Sequence, residues 1–377
     1  MDNTKKSRNS ALDLIRIFAL FCVVSLHFFL YSGYYVLPLA DGNLFFATLA
    51  RSFFMVCVPL FLLLSGYLMC NKKPTKEYYT KIARILGEYL LASLFCMACL
   101  AFHQGNGLID IIQLFCLQSF GIFSYEAAEY GWYVEMYIGL FLLIPYLNIL
   151  YNGLQGKQAK QRLIFTMLLL SGIPEVLNSI SFTLPWTVPY NDPSDGLMLF
   201  PTWWSTIYPV TYYFIGAYLN EYPLQLSKAR CVVLLILSNL LSGTVNYLNS
   251  RGGILVWGSW QSHQSLLVAS QAVFVFVCFL QLDVSRIGTR TKKLLSLLSD
   301  LTFTAYLVSS VFDKLFYKLA GMRSGAPAYR PEFYFLLVPL VLLCSFIAAF
   351  ILVSIYKLLC HILSRIRIHM KGKKVAT

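Results

Sequence analysis

Charge is scarce in this chain. Asp, Glu, Lys and Arg make up 12% of its 377 residues, about half the share of an ordinary soluble domain. Hydrophobic residues reach 58% and mean hydropathy is +0.65, which excludes an ordinary soluble enzyme. Histidine is limited to five residues. His103, His263, His361 and His369 have no Glu or His at metal-ligand spacing, and no HExxH helix, Walker loop, GxGxxG turn or GxSxG elbow occurs. No metal and no nucleotide hydrolysis are expected. The cysteines fall mostly inside apolar runs (Cys22, Cys57, Cys96, Cys99, Cys231, Cys278, Cys344), where they act as small hydrophobes and exclude a secreted disulfide scaffold. Cys96 and Cys99 have CxxC spacing without the strand context of a redox motif, so helix packing is the reading. Strand-like alternation is also lacking. Long continuous apolar runs exclude a membrane β-barrel and leave α-helices, whose backbone bonds close within each segment.

Ten apolar runs are long enough to cross a hydrocarbon core of ~30 Å, which takes ~20 residues. They fall at 11–31, 44–70, 83–102, 132–151, 162–182, 199–220, 231–248, 264–282, 294–317 and 333–363. The run 108–123 is shorter and reads as an interfacial or re-entrant helix or an eleventh span. Basic residues arbitrate. With the N-terminus cytoplasmic and ten spans alternating, Arg251, Lys318, Arg323 and Arg330 alone of the 30 Lys and Arg residues fall in outer loops. Arg16, Arg51 and Lys314 lie in spans, and the rest are on the inner side. That is a strong positive-inside pattern, which an eleventh span would destroy. The expected fold is an all-α polytopic bundle of about ten transmembrane helices, both termini cytoplasmic, forming a single membrane domain over 1–377. The first apolar run reads as a span rather than a cleavable leader. The net charge of +13 is explained by orientation and anionic lipid, with no need of nucleic acid. The outer loops 103–131 and 183–200 carry Asp110, Glu126, Glu129, Asp192 and Asp195 and no Lys or Arg. Trp186, Trp203, Trp204, Tyr208, Trp257 and Trp260 gather at the outer boundaries, either as an aromatic belt or as sugar-stacking surfaces.

Ionisable residues inside spans cost at least ~2.5 kcal/mol each and mark function by default. Asp13 and Arg16, three apart, can pair on one helix face. His27 lies eleven residues beyond Arg16, which returns it to within ~20° of the same stripe, ~16 Å along the axis. Snorkelling of Arg16 and a hydrogen-bonded core role for His27 are the bland alternatives. The joint stripe suits a ligand entering from the cytosol with an anionic end, its reactive end beside a histidine able to act as general base. Arg51, Glu88, Glu135, Glu175, Asp313 and Lys314 also lie at membrane depth. Glu135, after Trp132 and Tyr133, is the best carboxylate for lining a cavity. Glu175 follows Pro174, where a kink is expected.

Five segments resemble the acyltransferase family 3 membrane acyltransferases. Ala-Leu-Asp-Leu-Ile-Arg at 11–16 with His27 resembles the family's opening arginine–histidine motif. Pro59 through Ser65-Gly66-Tyr67-Leu68 resembles its second-span ending, and Tyr79 to Leu86, with Lys81 and Arg84, its basic segment before the third span. Gly131-Trp132-Tyr133-Val134-Glu135 resembles its Trp-Tyr span, and Leu298 to Leu307, with Tyr306, a late tyrosine element. This chain has Ser309 where that element usually ends in histidine. No esterase-like domain of the kind that some members append is expected. The resemblance implies transfer of an acyl group, usually acetyl, from acetyl-CoA as co-substrate to a hydroxyl of a saccharide or glycolipid, in the cell membrane of a bacterium. No permanently bound cofactor is implied. On that reading His27, Arg16 and Asp13 are catalytic, with His27 as general base or acyl carrier. Arg16, Lys81 and Arg84 hold the donor phosphates. Ser65, Trp132, Tyr133, Glu135 and Tyr306 line the acceptor cavity, with Ser65 and amides near Gly66 as oxyanion donors or, equally, as a small-residue helix contact.

The rival readings are an exporter of a polysaccharide or small molecule and a structural membrane protein. No inverted repeat supports the first, and the second leaves the stripe on the first span unexplained. The orientation is directly testable. Green fluorescent protein fused after Gly156 should fluoresce, and alkaline phosphatase fused after Gly252 should be active. The opposite pattern would overturn the topology.

Overall fold

The structure is a computed structural model and describes residues 8–39, 42–103, 130–178, 199–255, 261–322 and 329–375. The run 108–123 and Asp110, Glu126, Glu129, Trp186, Asp192, Asp195, Trp257 and Trp260 lie outside the described residues. Among the described residues the secondary structure is helical, without strands. In chain order the helices are α1 (Ser10–Tyr31), α2 (Gly42–Phe54), α3 (Cys57–Met69), α4 (Lys76–Thr80), α5 (Ile82–His103), α6 (Trp132–Gly153), α7 (Gly156–Leu177), α8 (Tyr208–Glu221), α9 (Lys228–Ser250), α10 (Leu266–Leu280), α11 (Thr289–Leu319) and α12 (Tyr334–Val375).

Among the described residues, seven helices are long and apolar enough to cross a membrane: Ser10–Tyr31, Leu44–Met69, Lys76–Cys99, Trp132–Gly153, Lys228–Ser250, Thr289–Leu319 and Pro331–Arg365. The other three expected spans correspond to α7, α8 and α10. Helix α7 begins with Lys157, Gln158, Lys160, Gln161 and Arg162, which dilutes its hydropathy. Helix α8 has only 14 residues after a 3-10 turn at Thr202–Ile207. Helix α10 is apolar but has 15 residues, short of the ~20 that a straight crossing takes. The fold is a helical membrane bundle, and among the described residues seven helices have full spanning length and hydropathy.

Local chemistry sets the helix ends. Asn9 caps α1, its Oδ1 accepting from the Ala11 amide at 2.9 Å. The helix stops at Ser32, before Gly33 at φ 81°. Span 2 is broken between Phe54 and Cys57. Pro59 has no amide hydrogen, so the bond that would close onto the Met55 carbonyl four residues earlier cannot form. Thr75, Ser227 and Ser265 cap α4, α9 and α10 with their hydroxyls.

The chain divides into two compact units. The first comprises Met1–Pro74, Leu142–Ser299 and Tyr317–Val338. Within it α3 and α8 cross in backbone contact. A Cβ at Gly66 would lie 2.0 Å from the Tyr213 carbonyl oxygen, and one at Gly216 2.0 Å from that of Leu63. Only residues without a side chain let the two backbones meet here. Beside this crossing, Tyr213 donates to Asn148 Oδ1 at 2.6 Å, and Asn148 donates to the Met69 and Lys72 carbonyls at 2.8 Å. Asn246 of α9 donates to Ser52 Oγ of α2 at 2.9 Å. Phe18, Phe21, Phe53 and Phe54 form an aromatic cluster between α1 and α2. The outward face of α9 shows Val233, Leu237 and Leu241, suited to acyl chains.

The second unit comprises Thr75–Phe141, Asp300–Phe316 and Pro339–Thr377. The Tyr78 ring stacks on Phe141 at 4.5 Å, and its hydroxyl donates to the Phe141 carbonyl at 2.6 Å. Cys96 donates to the Leu307 carbonyl at 3.6 Å, a packing role. Gly87 of α5 meets α12 closely: a Cβ there would lie 2.5 Å from the Tyr356 ring.

Gly66→Ala and Gly216→Ala should each force α3 and α8 apart, costing about 3 kcal/mol by the usual scale of overpacking. Ser65→Ala should cost under about 1 kcal/mol. Thermal unfolding of the purified protein in detergent checks this. Equal losses at Ser65 and Gly66 would contradict the crossing.

Candidate functional site

Helix α1 carries an ionic cluster at its start. Asp13 is buried, in the first turn, where the helix dipole favours a carboxylate. Arg16 approaches it at 3.6 Å, the expected pairing. Its stronger partner is Arg8, which donates from Nε at 3.0 Å and from Nη2 at 2.7 Å. Arg8 precedes the helix, so no helical spacing announces it. Arg8 Nη2 also donates to the Ser296 carbonyl at 3.2 Å, and Arg16 Nη1 to Ser299 Oγ at 3.1 Å. Both anchors come from the start of α11. Arg16 is thus held in place, which argues against simple snorkelling. Two guanidiniums face the Asp13 carboxylate, so the cluster presents positive charge.

His27 lies on the same helix, half-buried. Its neighbours along the helix make aromatic contacts: Phe28 meets the Tyr317 and Tyr334 rings edge-on at 5.8 and 5.3 Å, and Tyr31 stacks on Tyr317 at 5.0 Å. Ser25 and Tyr334 share a hydrogen bond of 2.8 Å. These contacts fix the rotation of α1 around the imidazole. Ser65 directs its proton to its own helix, donating to the Phe61 carbonyl at 2.8 Å. Gly66 is the helix contact described above.

A second polar cluster in this unit leaves little trace in the sequence. Arg51 is 1% exposed. It donates to Tyr35 Oη at 3.2 Å and to Gln261 Oε1, and its guanidinium lies 5.7 Å from the Tyr35 ring centre. His263 Nδ1 sits 3.3 Å from the Met55 carbonyl, the oxygen that Pro59 leaves without its helical donor. That contact requires the hydrogen on Nδ1. Tyr212 donates to the His263 carbonyl at 2.7 Å, and Ser262 to Glu175 Oε2 at 3.3 Å. Burial, then Arg51, lowers the His263 pKa from 6.5 to about 4. The loop 261–265 is therefore pinned to the break in span 2.

The second unit gathers the remaining expected residues. Tyr133 and Tyr306 are buried with ring centres 5.8 Å apart, edge-on, and Trp132 packs on Tyr133 at 6.1 Å. Tyr306 donates to the Tyr130 carbonyl at 2.5 Å, and Tyr130 to Asp313 Oδ2 at 2.8 Å. Glu135 Oε1 accepts from Tyr89 at 3.1 Å. Ser309 is buried and donates to the Tyr306 carbonyl at 2.8 Å, so it braces Tyr306 from the next turn. Lys81 is exposed and pairs with Glu77 at 3.6 Å. Arg84 pairs with Glu88, Nε to Oε1, at 2.7 Å.

Apolar helices with buried ion clusters and a wall of tyrosines define a multi-pass membrane protein with polar chemistry inside its bundle. The chain belongs to the acyltransferase family 3: that family's model, described as an acyltransferase domain, matches residues 9–356 and so runs through both units. It is a membrane acyltransferase by family. No curated protein and no solved structure matches it.

The His263 shift has a definite sign. A histidine with depressed pKa is neutral in the folded state, so its contribution is complete above pH 6.5 and is lost as pH falls from 6.5 towards 4. The loss is at most about 3 kcal/mol. Melting temperature should fall across that window, and His263→Gln should flatten the fall. An unchanged profile in that variant would contradict the assignment.

Proposed function

We propose that the protein transfers an acyl group, acetyl in the first instance, from cytosolic acyl-CoA to a hydroxyl of a cell-surface saccharide or its lipid-linked precursor, in a bacterial cytoplasmic membrane. One observation carries the reading. In a chain of an acyltransferase family, α1 holds an anchored arginine cluster at one end and His27 eleven residues beyond Arg16, on the same stripe. Coenzyme A is a cytosolic polyanion, and guanidinium forks suit its phosphates. The rise of ~16 Å between Arg16 and His27 separates the anionic end of such a donor from its thioester, which an extended arm carries to the imidazole.

Two routes fit these groups. Neutral His27 takes the proton of the acceptor hydroxyl as its oxygen attacks the thioester carbonyl, and collapse of the tetrahedral adduct expels the coenzyme A thiolate. Alternatively the imidazole attacks first, releasing the thiolate, and the hydroxyl then takes the acyl group from the ring nitrogen. Asp13 holds Arg16 in register for the donor. Lys81 and Arg84 contribute further cations to donor binding. Trp132, Tyr133, Glu135 and Tyr306 supply ring faces and a carboxylate suited to a sugar. The donor is a co-substrate, and the reading requires no resident cofactor.

Labelled acetyl-CoA and glycan acceptors test this with purified protein. His27→Ala should lower transfer ~10²- to 10⁴-fold while the protein stays folded. Arg16→Ala should raise the donor KM. Full transfer by a folded His27→Ala would remove the histidine from the chemistry. Vesicles that move glycan while leaving the donor intact would favour an exporter instead.

A further inference from the structure

Glu88 is a carboxylate at membrane depth that the chemistry above does not use. It sits on α5, one turn after Arg84, and is 5% exposed, whereas the Arg84 side chain is 61% exposed. Arg84 Nε donates to Glu88 Oε1 at 2.7 Å, and Thr304 Oγ1 of α11 donates to Glu88 Oε2 at 3.2 Å. Each carboxylate oxygen therefore has its own donor. Next to it, Gly87 lets α5 approach Tyr356 of α12, so the turn carrying Glu88 is packed on that side as well.

Helix stability does not account for this arrangement. An exposed i,i+4 pair contributes little, and the order base-then-acid is the weaker one. Burying a carboxylate costs more than that unless it is fully bonded. What the arrangement does achieve is a fixed guanidinium. The contact at Nε uses one of its five N–H donors, and a held fork loses less freedom when it grips a planar oxyanion.

We propose that Glu88, braced by Thr304, is a positioning residue that orients Arg84 towards a phosphate of the acyl-CoA donor. The inference rests on the acyltransferase reading above and assigns the donor subsite of that same activity. Glu88 touches no reacting atom. Its removal should weaken donor binding and leave the chemical step in place.

Steady-state kinetics with acetyl-CoA, paired with melting temperature with and without coenzyme A, tests it. Glu88→Gln should raise the donor KM about tenfold with kcat within about twofold, and should shrink the coenzyme A-induced rise in melting temperature. Glu88→Asp should recover part of the KM loss. Thr304→Val, which removes only the brace, should raise KM about two- to threefold and serves if Glu88→Gln fails to fold. An unchanged KM in both Glu88→Gln and Thr304→Val, with Arg84→Ala impaired, overturns the positioning role. An unchanged KM in Arg84→Ala overturns it too, while wild-type transfer leaves the acyltransferase reading standing. Wild-type protein that neither binds coenzyme A nor consumes acetyl-CoA removes the underlying reading itself.

Discussion

A carboxylate set into an apolar helix must bring its cations with it, because lipid offers no hydrogen bonds and an isolated buried charge costs several kcal/mol. Asp13 meets that constraint with two guanidiniums, Arg8 at 2.7 Å and Arg16 at 3.6 Å. The consequence reaches beyond the pair. Arg8 ties the chain before the Asn9 cap to α11 through the Ser296 carbonyl, and Arg16 reaches α11 through Ser299. The start of α1 is thereby fixed, and the aromatic contacts of Phe28 and Tyr31 fix its far end. His27 takes a defined direction from both.

The same constraint acts on the backbone. Pro59 removes the amide that would bond the Met55 carbonyl, and the imidazole of His263 takes that place at 3.3 Å. A break in a spanning helix is tolerated only where neighbouring protein satisfies the freed group. The α3 segment after the break packs on α8, and Gly66 and Gly216 let the two backbones touch. Sequence motif and packing converge here: the Ser65-Gly66 pair is part of the family resemblance, and in the fold its glycine serves the helix crossing.

Legibility in the sequence follows locality. The Asp13–Arg16–His27 stripe is readable because helical spacing is a local property, and seven long apolar runs are long apolar helices. For the runs 199–220 and 264–282 the helix is shorter than the apolar stretch, 14 and 15 residues, because a hydropathy window senses composition and does not sense where a cap or a proline ends a helix. Arg8 escapes notice because it lies outside the helix that it serves. The partnership of Gly66 with Gly216 joins segments far apart in the chain, and the same holds for Met55 with His263 and Glu88 with Thr304. No period announces such pairs. Arg51 stands out as a charge at membrane depth, but its acceptors, Tyr35 and Gln261, are neutral, and neutral partners leave no charge pattern to read.

Two arginines are treated alike in this chain. Arg16 is held by a carboxylate three residues before it and by the Ser299 hydroxyl; Arg84 is held by a carboxylate four residues after it, which the Thr304 hydroxyl braces. Both hydroxyls belong to α11. A cation that merely satisfies the positive-inside bias needs no such anchoring, since a flexible lysine does as well. Anchoring lowers the net charge that an arginine presents, so it sacrifices long-range attraction. It gains a guanidinium plane of fixed direction, which discriminates by bidentate geometry among anions of equal charge. That exchange fits the proposed donor, whose phosphate would be gripped in one register.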